Sequence, residues 1–116
     1  MSYISVRKAL ENLLKEYDIT LKDLLDTMDE DKESIEASLR KVCSLSDEEL
    51  EEIESELSNK ELNLLLFTIH AFYISDLSGL YKDNVVFPSR EEIMVGGKVT
   101  FEGLKKLARS LGINVE

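Results

Sequence analysis

The chain has 116 residues, 43% hydrophobic and 33% charged, with one proline and five glycines, a balance that belongs to a folded helical protein rather than a disordered one. Acidic residues outnumber basic ones 24 to 14, and the net charge of −10 sets the surface against nonspecific nucleic-acid binding, because phosphates meet like charge. One cysteine, Cys43, and one histidine, His70, exclude an internal disulfide framework and argue against a zinc site.

The opening run MSYISVRKALENLL lacks the uninterrupted apolar core of a signal peptide, so a cytoplasmic setting is expected. A first helix is predicted over Ser5–Tyr17, where Val6, Ala9, Leu10, Leu13, Leu14 and Tyr17 line one side at helical spacing. Asp18-Ile19 breaks that stripe. Thr20 then reads as the N-cap of a short second helix carrying Leu21, Leu24, Leu25 and Met28. After the acidic turn Asp29-Glu30-Asp31, a third helix is marked by Ile35, Leu39 and Val42. Ser46 and Glu49 form an S-x-x-E capping box at the start of a fourth helix, with Leu45 and Leu50 as its hydrophobic staple. Leu50, Ile53 and Leu57 point that helix inward. Ser58 and Glu61, stapled by Leu57 and Leu62, repeat the same grammar at once and imply a tight corner between consecutive helices.

Leu62–Leu80 is the most apolar segment. A membrane span takes about 20 predominantly apolar residues, and here Asn63, Thr68, His70, Ser75 and Asp76 interrupt the run. A central helix, or one that is half core and half homodimer seam, is expected instead. Downstream, Val85-Val86-Phe87 favours strand and is stopped by Pro88. Ser89 with Glu92 caps a brief helix through Ile93. Met94-Val95, Gly96-Gly97 and Val99 read as a two-residue hairpin. Thr100 caps a last helix whose Leu104, Leu107, Ala108 and Leu111 share a face, and Gly112 gives a left-handed stop. Ile113 is placed to fold back on the last turn, and Val115 to add a strand residue.

The run Thr20-Leu21-Lys22-Asp23-Leu24, the aliphatic Ile35 and the start Ser46-Asp47-Glu48-Glu49-Leu50 are similar to the lambda-repressor-like (Xre/Cro) helix-turn-helix family, over about Val6 to Leu57. The resemblance implies a threonine-led second helix, a short turn, a third helix with one buried aliphatic, and a fourth helix opening on serine. Leu25 stands where the family usually has alanine, and Asp29 where it usually has glycine. In that family the start of the third helix enters the major groove. Here those positions are Glu30, Asp31, Lys32, Glu33, Ser34 and Glu36, four carboxylates against one lysine, and Glu48, Glu49, Glu51, Glu52, Glu54 and Glu56 follow on the fourth helix. Such a face repels phosphate, so the resemblance implies a DNA-reading function lost or inverted.

Lys98-Val99-Thr100-Phe101-Glu102-Gly103-Leu104 also looks like the end of a wing leading into a final helix, as in winged-helix proteins. A fainter echo matches Leu21, Asp23 and Leu24 with Ile74, Asp76 and Leu77, and Leu50, Ile53 and Leu57 with Leu104, Leu107 and Leu111. A duplicated helix-turn-helix, a wing and coincident helical periods all account for it. The expected fold is therefore mainly α, a compact helical domain of five to seven helices with a helix-turn-helix-like N-terminal bundle and the option of a short C-terminal β-hairpin. Residues 1–57 form the acidic helices and 58–116 the central apolar helix, hairpin and last helix, read together as one continuous domain.

Charge is unevenly spread, with seventeen acidic and eight basic residues in 1–60 against seven and six in 61–116. The acidic face expected to bind a partner is Glu30, Asp31, Glu33, Glu36, Asp47, Glu48, Glu49, Glu51 and Glu52. Its complement is a basic protein, one that itself binds nucleic acid, and phage or mobile-element inhibitors (antirepressors, anti-CRISPR proteins, DNA mimics) work in that manner. The competing reading is a dimeric transcriptional regulator that pairs through Leu62–Leu80 and uses Lys98, Lys105, Lys106 and Arg109 on DNA. An enzyme ranks last. His70, among Leu66, Phe67, Phe72 and Tyr73, has no nucleophile motif beside it and reads as structural. Cys43 reads as a small apolar group, Gly96-Gly97 as a turn without the sequel of a phosphate loop, and Asp29-Glu30-Asp31 and Asp47-Glu48-Glu49 lack EF-hand spacing. No metal and no cofactor are expected.

Overall fold

Local chemistry fixes most of the helix boundaries before any packing is considered. The computed structural model describes residues 6–28, 31–75 and 88–113. Its helices are α1 (Val6–Lys15), α2 (Leu21–Thr27), α3 (Lys32–Val42), α4 (Asp47–Glu56), α5 (Asn59–Thr68), a π-helix (Ile69–Ile74), α6 (Arg90–Ile93) and α7 (Phe101–Ser110). Three short strands are interleaved: β1 (Cys43–Ser44), β2 (Met94–Val95) and β3 (Lys98–Thr100). Helix dominates, as the sequence implies, and the C-terminal hairpin is present.

Each expected cap is made. Thr20 accepts from the Asp23 amide, and Thr100 from the Gly103 amide, both at 3.0 Å. Ser46/Glu49, Ser58/Glu61 and Ser89/Glu92 form reciprocal capping boxes at α4, α5 and α6. Asp31 caps α3, its Oδ1 accepting from the Ser34 amide at 2.8 Å. These contacts satisfy backbone donors that each helix start leaves without intrahelical partners.

The first helix is shorter than its stripe suggests. α1 ends at Lys15, and Asp18 takes a left-handed φ of 59° that turns the chain toward Thr20. Aspartate tolerates that conformation better than most side chains. Tyr17 therefore leaves the core face on which its spacing placed it and is 70% exposed.

α5 is the centre of the molecule and packs against α2, α3 and α7. Leu62, Leu64, Leu65 and Leu66 are buried around its whole circumference, along with Asn63 and Thr68. Both polar groups are satisfied: Asn63 Nδ2 donates to the Met28 carbonyl at 2.6 Å, and Thr68 Oγ1 donates to the Leu64 carbonyl at 2.8 Å. Immediately after Thr68 the helix widens. Ser75 N donates to the His70 carbonyl five residues back, so the expected single helix over Leu62–Leu80 is an α-helix followed by a π-helix; its last residues, 76–80, lie outside the described ones. Among the described residues no helix is long and apolar enough to cross a membrane.

The sheet ties the middle of the chain to its C-terminal part, in the order β1-β3-β2. β2 and β3 are antiparallel, with Met94 opposite Val99 and Val95 opposite Lys98. Gly96 and Gly97 form the two-residue turn at φ 62° and 83°, the left-handed pair such a hairpin requires. β1 joins β3 in parallel, with Cys43 opposite Val99 and Ser44 opposite Thr100. This pairing crosses the expected 57/58 division, and one buried core draws on residues from Val6 to Ile113. At the end of α7, Ile113 N donates to the Ala108 carbonyl and Gly112 adopts φ 78°, so Ile113 folds back into that core. Expected strand residues Val85-Val86-Phe87 and Val115 lie outside the described residues.

Candidate functional site: the acidic face of α3 and α4

α3 and α4 run on either side of β1, and their outward side chains bound a polar groove of about 430 Å³. It is lined by Lys32, Glu36 and Arg40 from α3 and by Asp47, Leu50, Glu51, Glu54 and Ser55 from α4. The inward residues of the same helices explain the arrangement. Ile35 and Leu39, then Leu50 and Ile53, are buried at helical spacing, which turns the glutamates between them toward the groove and solvent.

The groove brings together three of the expected site residues, Glu36, Asp47 and Glu51, and adds Glu54. Arg40 Nη2 bonds Asp47 Oδ1 at 2.7 Å, and Lys32 Nζ stands 3.6 Å from Glu54 Oε2. The other expected carboxylates divide by local duty. Asp31 and Glu49 are occupied as caps of α3 and α4. Hydrogen bonds from Ser34, backbone first and then side chain, hold the Asp31 carboxyl below its usual range. Glu52 meets Lys105 of α7 at 3.8 Å. Glu33, Glu48 and Glu51 are exposed, and none of them forms an ion pair among the described residues. Glu30 lies outside the described residues.

Two carboxylates carry signals that spacing alone does not show. Burial, followed by the neighbouring Glu36, raises the Glu54 carboxyl above its ordinary value. Glu56 is half-buried, and its Oε2 has no hydrogen-bond partner among the described residues. The clue to both lies in the helix itself, since Glu54 is one position from Ile53 and Glu56 one from Leu57, at the edges of the buried stripe.

The basic residues of the competing reading are largely engaged. Lys105 pairs with Glu52, lies 4.4 Å over the Phe101 ring, and has a side chain only 13% exposed. Lys106 faces Glu92 at 4.0 Å, and Lys98 donates to the Arg40 carbonyl at 3.3 Å. Arg109 is exposed. Among the described residues of the expected dimer seam, Leu62, Leu64, Leu65, Leu66, Ile69, Ala71, Phe72 and Tyr73 are buried in the chain's own core, and Ile74 is exposed.

His70 departs from its expected place. It is exposed, because Ile69, Phe72 and Tyr73 take the inward positions of the π-helix. Cys43 is buried as expected, and burial pushes its thiol up to about 12. Among the described residues no three His, Cys, Asp or Glu side chains converge as a metal ion would require. Comparison with family models, with curated proteins and with solved structures finds no match to the chain.

Proposed function

We propose that this chain is a small, non-enzymatic regulatory protein that binds a basic protein partner through α3 and α4, and that it occupies the partner's nucleic-acid-binding surface. The supporting observation is the contrast between the two charged regions. Glu33, Glu48 and Glu51 stand exposed on α3 and α4 without an ion pair among the described residues, whereas three of the four cations needed for DNA binding are engaged internally. The Arg40–Asp47 pair is a surface pair, worth roughly 0–1 kcal/mol, so a partner's arginine displaces Arg40 at little cost. Carboxylates spaced along two helices offer such cations what a phosphate backbone offers them, several negative charges within reach of one surface.

The helix-turn-helix resemblance fits this reading as a scaffold whose recognition face has changed sign. Phage and mobile-element inhibitors of the antirepressor, anti-CRISPR or DNA-mimic kind are the functional class it suggests. The experiment is a pull-down from host extract with the wild-type chain and with a Glu33→Lys/Glu48→Lys/Glu51→Lys variant. Capture of a basic nucleic-acid-binding protein by the wild type, lost in the variant, supports the reading. Capture that survives the three reversals removes it.

A further inference from the structure

A second groove, of opposite polarity, runs along α2. It consists of two adjoining cavities of about 410 and 310 Å³, which share Leu25, Asp26 and Lys60. Neither has a lining residue in common with the groove between α3 and α4. The floor is apolar. Leu21, Leu25 and the C-cap Met28 follow one another at helical spacing; Leu21 is buried, whereas Leu25 and Met28 are only half-buried. The rim is cationic. Arg7 of α1 and Lys22 of α2 are exposed and form no ion pair among the described residues. Lys60, near the start of α5, meets Asp26 at 2.9 Å, and Glu11 is the other carboxylate of the wall. Three cations thus stand beside two carboxylates, in a chain whose net charge is −10.

We infer that this groove docks an acidic amphipathic helix of a partner protein, its apolar side chains laid on Leu21, Leu25 and Met28 and its carboxylates on Arg7 and Lys22. Apolar positions at i, i+4 and i+7 form a row against which the ridge of a second helix packs. α2 has seven residues and so is about 10 Å long, which matches about two turns of such a partner. Exposed ion pairs contribute little by themselves, so the apolar floor carries the affinity and the rim selects the sign of the partner. A nucleic-acid duplex fits this lining poorly. Its phosphates would meet Glu11 and Asp26 as well as the cations, and it brings no row of apolar side chains to the leucine floor. The site stands independently of what the acidic face of α3 and α4 binds.

The test titrates the full chain with a synthetic helical peptide of about twelve residues, with leucines at i, i+4 and i+7 and glutamates on the flanks, and follows the methyl groups by NMR. Saturable binding that shifts the Leu21, Leu25 and Met28 methyls is expected. Affinity should fall about tenfold in Arg7→Glu/Lys22→Glu and survive in Glu33→Lys/Glu48→Lys/Glu51→Lys, which leaves this groove intact. Two altered peptides, one with glutamines for the glutamates and one with serines for the leucines, should each bind about tenfold more weakly, and they test the site without changing the fold. Absence of saturable binding, methyl shifts that avoid α2, or equal binding of either altered peptide overturns the inference. So does a duplex DNA that displaces the acidic peptide from the groove.

Discussion

Gly103 shows how a single residue can set the distance between two elements. It lies in the first turn of α7, and a β-carbon there would stand 2.7 Å from the Ile93 carbonyl carbon. The missing side chain lets the end of α6 pack directly on α7. A glycine inside a helix costs about 1 kcal/mol relative to alanine, so the sequence alone suggests Gly103→Ala as a stabilising change. The structure reverses that sign. Overpacking against backbone destabilises by roughly 1–3 kcal/mol, and urea unfolding of Gly103→Ala should show a loss of that size; equal or greater stability contradicts the close approach. Cys43 offers a second prediction at the same scale. Its thiol is buried and pushed up to about 12, and the thiolate is the reactive species. A disulfide reagent at mildly alkaline pH should leave the native chain unmodified and label it fully once denatured. Rapid labelling of the native chain would place Cys43 elsewhere. That Cys43 packs inside was legible from its neighbour Val42; that it pairs with Val99 was not, because two strand residues leave no periodic trace.

Helices fared best where their ends carry their own chemistry. The boxes at Ser46/Glu49, Ser58/Glu61 and Ser89/Glu92 were readable because each uses residues three apart in sequence and nothing more distant. Ser46→Ala and Ser58→Ala should each cost about 1 kcal/mol, and Ser46→Gly only a few tenths. Equal losses for Ser46→Ala and Ser46→Gly in denaturant titrations would show that packing, rather than the cap, fixes the start of α4. Features set by distant partners escaped the sequence. The end of α1 depends on the left-handed turn at Asp18, which moved Tyr17 out of the stripe. The π-helix begins after Thr68, and its far end is tied down by residues well removed in sequence. Tyr73 Oη donates to the Pro88 carbonyl at 2.8 Å, and Arg90 donates to the Tyr73 carbonyl. Tyr73 itself is pushed up to about 12, mainly by burial and then by Glu92. Parallel pairing of β1 with β3 likewise joins segments that no local pattern connects.

Across the whole molecule, hydrophobic burial and charge follow separate logics. The core was largely visible as helical stripes, with Leu50, Ile53 and Leu57 buried alongside Leu104, Leu107 and Leu111. Charge was visible as composition, but its use was not. Of the acidic face expected between Glu30 and Glu52, Asp31 and Glu49 serve as caps, and Asp47 and Glu52 hold cations of the same chain. Among the described residues, exposed Glu33, Glu48 and Glu51 are what remains for a partner, with Glu36 and Glu54 lining the groove beside Glu51. Ion pairs depend on which helices the core brings side by side, so they become readable only with the fold. The most direct measurement of the central idea is a competition assay. A labelled duplex is bound to the basic protein captured by this chain, and the chain is added at rising concentration. Release of the duplex in step with complex formation, weakened by added salt and abolished by Glu33→Lys/Glu48→Lys/Glu51→Lys, is the result the account predicts. A ternary complex in which the duplex stays bound while the chain joins would contradict it.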